Sequence, residues 1–162
     1  MRGSGSRSRV RQPAVAGSFY PADPERLRLD VSGLLAETPI LPAYCRAKAL
    51  IAPHAGYVYS GAVAARAFAR LRGCPINRVV LIGPAHYVGF RGIATPRADA
   101  VATPLGEVPV DQSALAASAE LPFVVQNDTA QRMLQSMHSR WSCPSAIGSR
   151  TVRAHAAAGR PS

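Results

Sequence analysis

Two histidines stand where this chain could do chemistry. His54 lies in residues 51–61, IAPHAGYVYSG, and His86 in residues 83–89, GPAHYVG. Each follows an apolar run, with a proline just before it and a glycine nearby. Neutral imidazole is a ligand for zinc, copper or iron, and it exchanges protons near pH 7. A single histidine in a Pro/Gly turn is more often a turn residue with a satisfied hydrogen bond than a ligand. The same form repeated at two strand ends raises a metal or catalytic role for His54 and His86 to equal standing with the turn reading. Neighbouring parallel strands lie about 4.8 Å apart, so imidazoles at their tips can meet one ion or one substrate. Two ligands do not yet complete a metal site.

Such a pair has to be held by a sheet. Residues 48–52, KALIA, read as a buried strand, residues 60–71 as a helix, and residues 78–82, RVVLI, as a second strand. Two continuous apolar strands joined by a helix are the pattern of a parallel βαβ unit, in which ligands bind beyond the carboxyl ends of the strands. The helix is expected to face inward through Val63, Ala67, Phe68 and Leu71, with Ser60 as its N-cap, and Gly73 stops it. Tyr57 and Tyr59 could line the cleft or pack on the sheet. Upstream, residues 14–20 read as extended, followed by a helix with Asp23 as N-cap, Pro24 at its first position and Leu27, Val31, Leu34 and Leu35 near helical spacing. Downstream, residues 92–95, 98–102 and 106–110 are short strand candidates. Asp111 could cap a small helix running to Ser118, and residues 122–125 could open another strand. The fold class expected is α/β, a parallel or mixed sheet with flanking helices.

The chain has 162 residues, 48% of them hydrophobic, and a formal net charge of +10. That charge does not form a nucleic-acid footprint. Residues 1–11 hold four arginines and no acid, and residues 131–162 hold five arginines and no acid. Residues 12–130 carry ten basic against nine acidic side chains, so the part expected to fold is almost neutral. A binding face would gather Lys and Arg on a folded element with aromatics to stack on bases. No apolar run approaches the roughly 20 residues of a membrane span, and the start lacks the apolar stretch of a secretory signal. Cys45, Cys74 and Cys143 are an odd number without CxxC spacing. They suggest neither a disulfide framework nor a zinc knuckle, and a cytoplasmic location is expected. The glycines form neither a GxGxxG nor a Walker loop.

Four stretches, RQPAVAGSFYP, ALIAPHAGYVYSG, VVLIGPAHYVGF and TPLGEVPVD, resemble the Memo family, also called AmmeMemoRadiSam system protein B, in order and approximate spacing. The resemblance covers about residues 12–128. It implies a fold like that of the class III extradiol dioxygenases, with His54 and His86 as pocket histidines and metal ligands, and a divalent transition metal, iron foremost, as cofactor. By family association it implies an AMMECR1-type protein and a radical SAM protein as partners. The family's later HxxEHSLEV, acidic His-containing and distal cysteine motifs are missing here.

Residues 131–148, QRMLQSMHSRWSCPSAIG, suggest why. Read one base earlier, the codons of Met133, Met137 and Trp141 permit the His, His and Val of HxxEHSLEV, and codons for residues 142–145 permit Leu-Pro-Phe. The organisation expected is therefore a disordered basic leader at 1–11, a partial Memo-like α/β domain at 12–130, and an out-of-frame, disordered tail at 131–162. The function this implies is a metal-binding, dioxygenase-like pocket left incomplete. The alternatives are a non-catalytic module that binds a peptide or protein in the same cleft, and an inert product.

Overall fold

The computed structural model describes residues 9–39, 45–85 and 89–127, and the backbone of 152–158. The amino-terminal strand β1 (Val10–Arg11) leads to helices α1 (Pro24–Ala36) and α2 (Tyr57–Ala69). Strands β2 (Val79–Pro84), β3 (Ile93–Thr95), β4 (Ala100–Thr103) and β5 (Gly106–Pro109) follow, then α3 (Gln112–Ala119), β6 (Val124–Gln126) and β7 (Val152–Ala158). The content is mixed α/β, as expected.

Helix α1 forms for the reasons its sequence gives. The Asp23 carboxylate accepts a 2.7 Å hydrogen bond from the Arg26 amide, satisfying one of the otherwise unpaired first-turn donors, and Pro24 occupies the first turn, where no donor is needed. Leu27 and Val31 are buried, and Leu34 and Leu35 pack against the same cluster. Leu27 has no exposed surface, a burial that stabilises the fold by about 2 kcal/mol.

Helix α2 packs only partly as expected, with Phe68 against the core. It starts three residues earlier, at Tyr57, and turns Tyr57, Ser60, Gly61, Ala64, Ala65 and Ala69 inward, leaving Val63 mostly exposed. The helix is apolar nearly all round, so its periodicity does not say which side packs. Size decides: the small residues let α1 come close, and a Cβ on Gly61 would lie 2.9 Å from the Leu34 Cδ1.

Two sheets are formed. In one, β1 runs parallel to β4, and β4 and β5 make a hairpin pairing Ala100 with Pro109 and Thr103 with Gly106. The Thr103 hydroxyl donates to the Gly106 carbonyl and accepts from the Leu105 amide, while Gly106 takes a φ of 130° that favours glycine. Val101, Val110 and Leu115 form a small second core where this hairpin meets α3. Residues 9–11, read from sequence as the end of a disordered leader, belong to the fold: Arg9 and Asp99 exchange backbone and side-chain hydrogen bonds, and β1 pairs beside them.

The other sheet has the order β2-β7-β3-β6. β3 and β6 are parallel, joined through the α3 crossover, and β2 is parallel to β7. Val152–Ala158 lies within the segment read as an out-of-frame tail, and its backbone fills the position between β2 and β3. The expected strand at residues 48–52 does not form. A short apolar run becomes a strand only where a neighbour takes its amides and carbonyls, and none of the described strands pairs with it. Ile51 is 95% exposed. The βαβ unit of the sequence reading is thus present only in its helix and second strand, and β2 stands at the edge of its sheet.

Candidate functional site

His54 sits in the turn that enters α2, and two neighbouring elements fix that turn. Residues 15–20 fold into a tight loop in which the Gly17 amide donates to the Tyr20 carbonyl and the Phe19 amide to the Val15 carbonyl. Gly17 holds a φ of 86° at its corner. The loop presents the Phe19 carbonyl to the Tyr57 amide at 3.0 Å, and the backbone of Phe19 lies against Gly56, the α2 N-cap residue. Two stretches far apart in sequence, AVAGSFY and PHAGY, are therefore neighbours in space.

The Ser60 hydroxyl completes the turn. Ser60 is not the N-cap that the sequence suggested: it stands one turn inside the helix and donates back to the Ala55 carbonyl at 3.0 Å. This back-bonding fastens the residue after His54 to the helix. His54 is exposed on this braced turn, Tyr57 is buried in the core, and Tyr59 is exposed. His54 is thus exposed to solvent, and the residues that follow it are held by the Tyr57 amide on the Phe19 carbonyl and the Ser60 hydroxyl on the Ala55 carbonyl.

The second histidine is approached by β2, which ends at Pro84. Ala85 follows, and His86 lies outside the described residues. Among the described residues, no three His, Cys, Asp or Glu side chains come together in a group that could hold a metal. Two of the cysteines are committed elsewhere. Cys45 and Cys74 form a disulfide with Cα atoms 5.0 Å apart, contrary to the reading of the cysteines as unpaired. No local motif announces it, because the partners are separated by 29 residues and meet only when the α2 exit returns to the segment before His54. Cys74 is buried just after the helix, where Gly73 turns the chain with a φ of 73°.

Asp111 was legible as a helix cap but does more. One carboxylate oxygen accepts from the Ala114 amide and the Ser113 hydroxyl, and the other meets the Arg78 Nε at 2.8 Å. The Asp111 side chain is 8% exposed and that of Arg78 55% exposed. The start of β2 is thereby tied to the start of α3, on the strand that leads to His86. No helix among the described residues is long and apolar enough to cross a membrane.

A family model described as Memo-like protein matches residues 11–139. A MEMO1 family protein of Methanopyrus kandleri is 44% identical over 112 residues, covering 62% of this chain and 38% of the relative. A MEMO1 family protein of Aquifex aeolicus is 42% identical over 103 residues, 64% of this chain and 37% of the relative. Protein MEMO1 of Xenopus laevis is 38% identical over 109 residues, 66% of this chain and 35% of its own length. The chain spans little more than a third of the length of these curated relatives.

Proposed function

The chain belongs to the Memo-like protein family, and from that premise we propose that it carries the first two histidines, His54 and His86, of a metal-binding, dioxygenase-like pocket that is incomplete within these 162 residues. The support is the family match over residues 11–139, which takes in both histidine motifs. The His54 turn adds a physical reason, since it presents an exposed histidine just ahead of a helix entry held by the Ser60 hydroxyl and the Phe19 carbonyl.

The described residues by themselves do not fit a complete metal centre, because no third His, Cys, Asp or Glu joins His54. No reaction at a metal follows from them, and turnover by this chain alone is not expected. A divalent transition metal, iron foremost, is the cofactor proposed for the completed pocket, whose remaining donors lie beyond the described residues. An AMMECR1-type protein and a radical SAM protein are its proposed partners, and the cytoplasm its proposed location. The departure from the family reading frame near residues 128–131 belongs to the same proposal.

A second reading, a non-catalytic module for a peptide or protein, draws on the apolar side chains exposed around His54: Ile51, Val58 and Tyr59. Anaerobic titration calorimetry with Fe(II) separates the two. The first reading expects weak binding at one site, lost in a His54→Ala, His86→Ala double variant. Metal binding indifferent to that double change, or none at all, sinks it. Peptide capture that survives both substitutions favours the second.

A further inference from the structure

The two ends of the Cys45–Cys74 bond differ in access. Cys45 is exposed, whereas Cys74, just past the end of α2, is only 6% exposed. A thiolate opens a disulfide by attacking one sulfur and expelling the other, so the reachable sulfur decides which mixed disulfide forms. Here that sulfur belongs to Cys45. The surrounding chain selects the attacker, since residues 38–98 contain eight basic side chains and no acid. Arg46 and Lys48 follow Cys45, Arg70 and Arg72 precede Cys74, and of the eight Arg78 meets Asp111. Such a run draws anions. A partner is also in place for the departing sulfur: the Cys74 Sγ lies 3.9 Å from the Arg70 carbonyl oxygen, to which a protonated thiol donates.

We propose that Cys45 is a thiol-exchange site for an anionic low-molecular-weight thiol of the glutathione class, and that its opening releases the segment that carries His54. The thiolate forms a bond to the Cys45 Sγ, the Cys45–Cys74 bond breaks, and its electron pair stays on the Cys74 Sγ, which takes a proton from water. A second thiol displaces the first from Cys45. One protein disulfide and two thiols thus become one protein dithiol and one small disulfide. The structural consequence is local. Residues 46–56 lie in neither helix nor strand, and 48–52 pair with none of the described strands. Helix α2 keeps its packing on α1 through Tyr57, Ala64 and Ala65. Opening therefore loosens the chain between Cys45 and the Ala55 carbonyl held by Ser60, and leaves α2 folded. The exchange needs no metal, and none enters its test.

The full 162-residue chain is treated with glutathione, free thiols are trapped with N-ethylmaleimide, and peptides are mapped by mass spectrometry, which locates Cys143 separately. The expected result is a glutathione adduct at least about tenfold more abundant on Cys45 than on Cys74. It should form at least about threefold faster than the cysteamine adduct at equal thiolate concentration, an advantage that fades in about 1 M salt. In the fully reduced chain, tryptic cleavage after Arg46 and Lys48 should quicken at least about fivefold while the helical circular dichroism is kept. Five results overturn the proposal: Cys45 and Cys74 already free in the untreated chain, adducts shared equally or favouring Cys74, equal rates for glutathione and cysteamine, unchanged cleavage, or helix lost on reduction.

Discussion

Reducing the Cys45–Cys74 bond is expected to remove a large share of the chain's stability. The partners are 29 residues apart, and the loop they close contains the His54 turn and all of α2. In the chain-entropy relation, closing a loop of that length lowers the entropy of the unfolded chain by about 12 cal/mol/K, which is about 3.6 kcal/mol at 25 °C. Domains of this size are stable by roughly 5–15 kcal/mol. With a urea m-value of about 2 kcal/mol/M, the unfolding midpoint should fall by about 1.8 M on reduction. Circular dichroism during urea titration, with and without a phosphine reductant, measures the shift. Hydrogen exchange over residues 46–56 should rise in the reduced protein, because the tether before His54 is gone. A midpoint shift below about 0.3 M would refute the reasoning, as would thiol titration that finds both cysteines free in the unreduced chain. A reducing cytoplasm keeps such thiols open, so a cytoplasmic chain would work without this tether.

Other substitutions probe the supports of the site. Gly92→Ala should cost about 2 kcal/mol or more and weaken the pairing of β3 with β6, because Gly92 has a φ of 92° and an added Cβ would collide with the Phe123 carbonyl oxygen; thermal melting reads the loss. Leu27→Ala should cost about 2–5 kcal/mol, since the side chain is fully buried between α1 and α2, and an unchanged urea midpoint would contradict that packing. Asp111→Ala removes a helix cap and the partner of Arg78 together, with an expected loss of about 1–3 kcal/mol. Asp111→Asn, which keeps the capping oxygen, should lose less. His54→Ala should leave the melting curve within about 0.5 kcal/mol of the parent, because the ring is exposed.

Local signals were read correctly from sequence where local chemistry decides the outcome. Asp23-Pro24 starts α1 and Asp111 starts α3, as their capping oxygens require. The strand candidates from residue 78 to residue 126 all appear within a few residues of their expected limits. Where the outcome depends on a distant partner, the sequence is silent. Residues 48–52 have the composition of a buried strand but pair with none of the described strands, and β1 exists only because β4 lies beside it. The face of α2 is set by the close approach of Leu34 to Gly61, which no periodicity encodes in a helix apolar on all sides. The candidate site divides the same way. His54 and His86 stand out by their similar settings, Pro53-His54 and Pro84-Ala85-His86 after apolar runs, whereas the Phe19 carbonyl and the Ser60 hydroxyl that hold the His54 turn become visible only in three dimensions.

The most direct test of the central claim is whether His54 and His86 respond to one ion. The chain has four histidines, at positions 54, 86, 138 and 155, and their ring protons can be assigned by single His→Gln variants and followed by NMR during a Co(II) titration. The account predicts that the His54 and His86 signals shift together, at the same number of equivalents, while those of His138 and His155 stay in place. Independent responses of His54 and His86, or a response confined to His138 and His155, would contradict it.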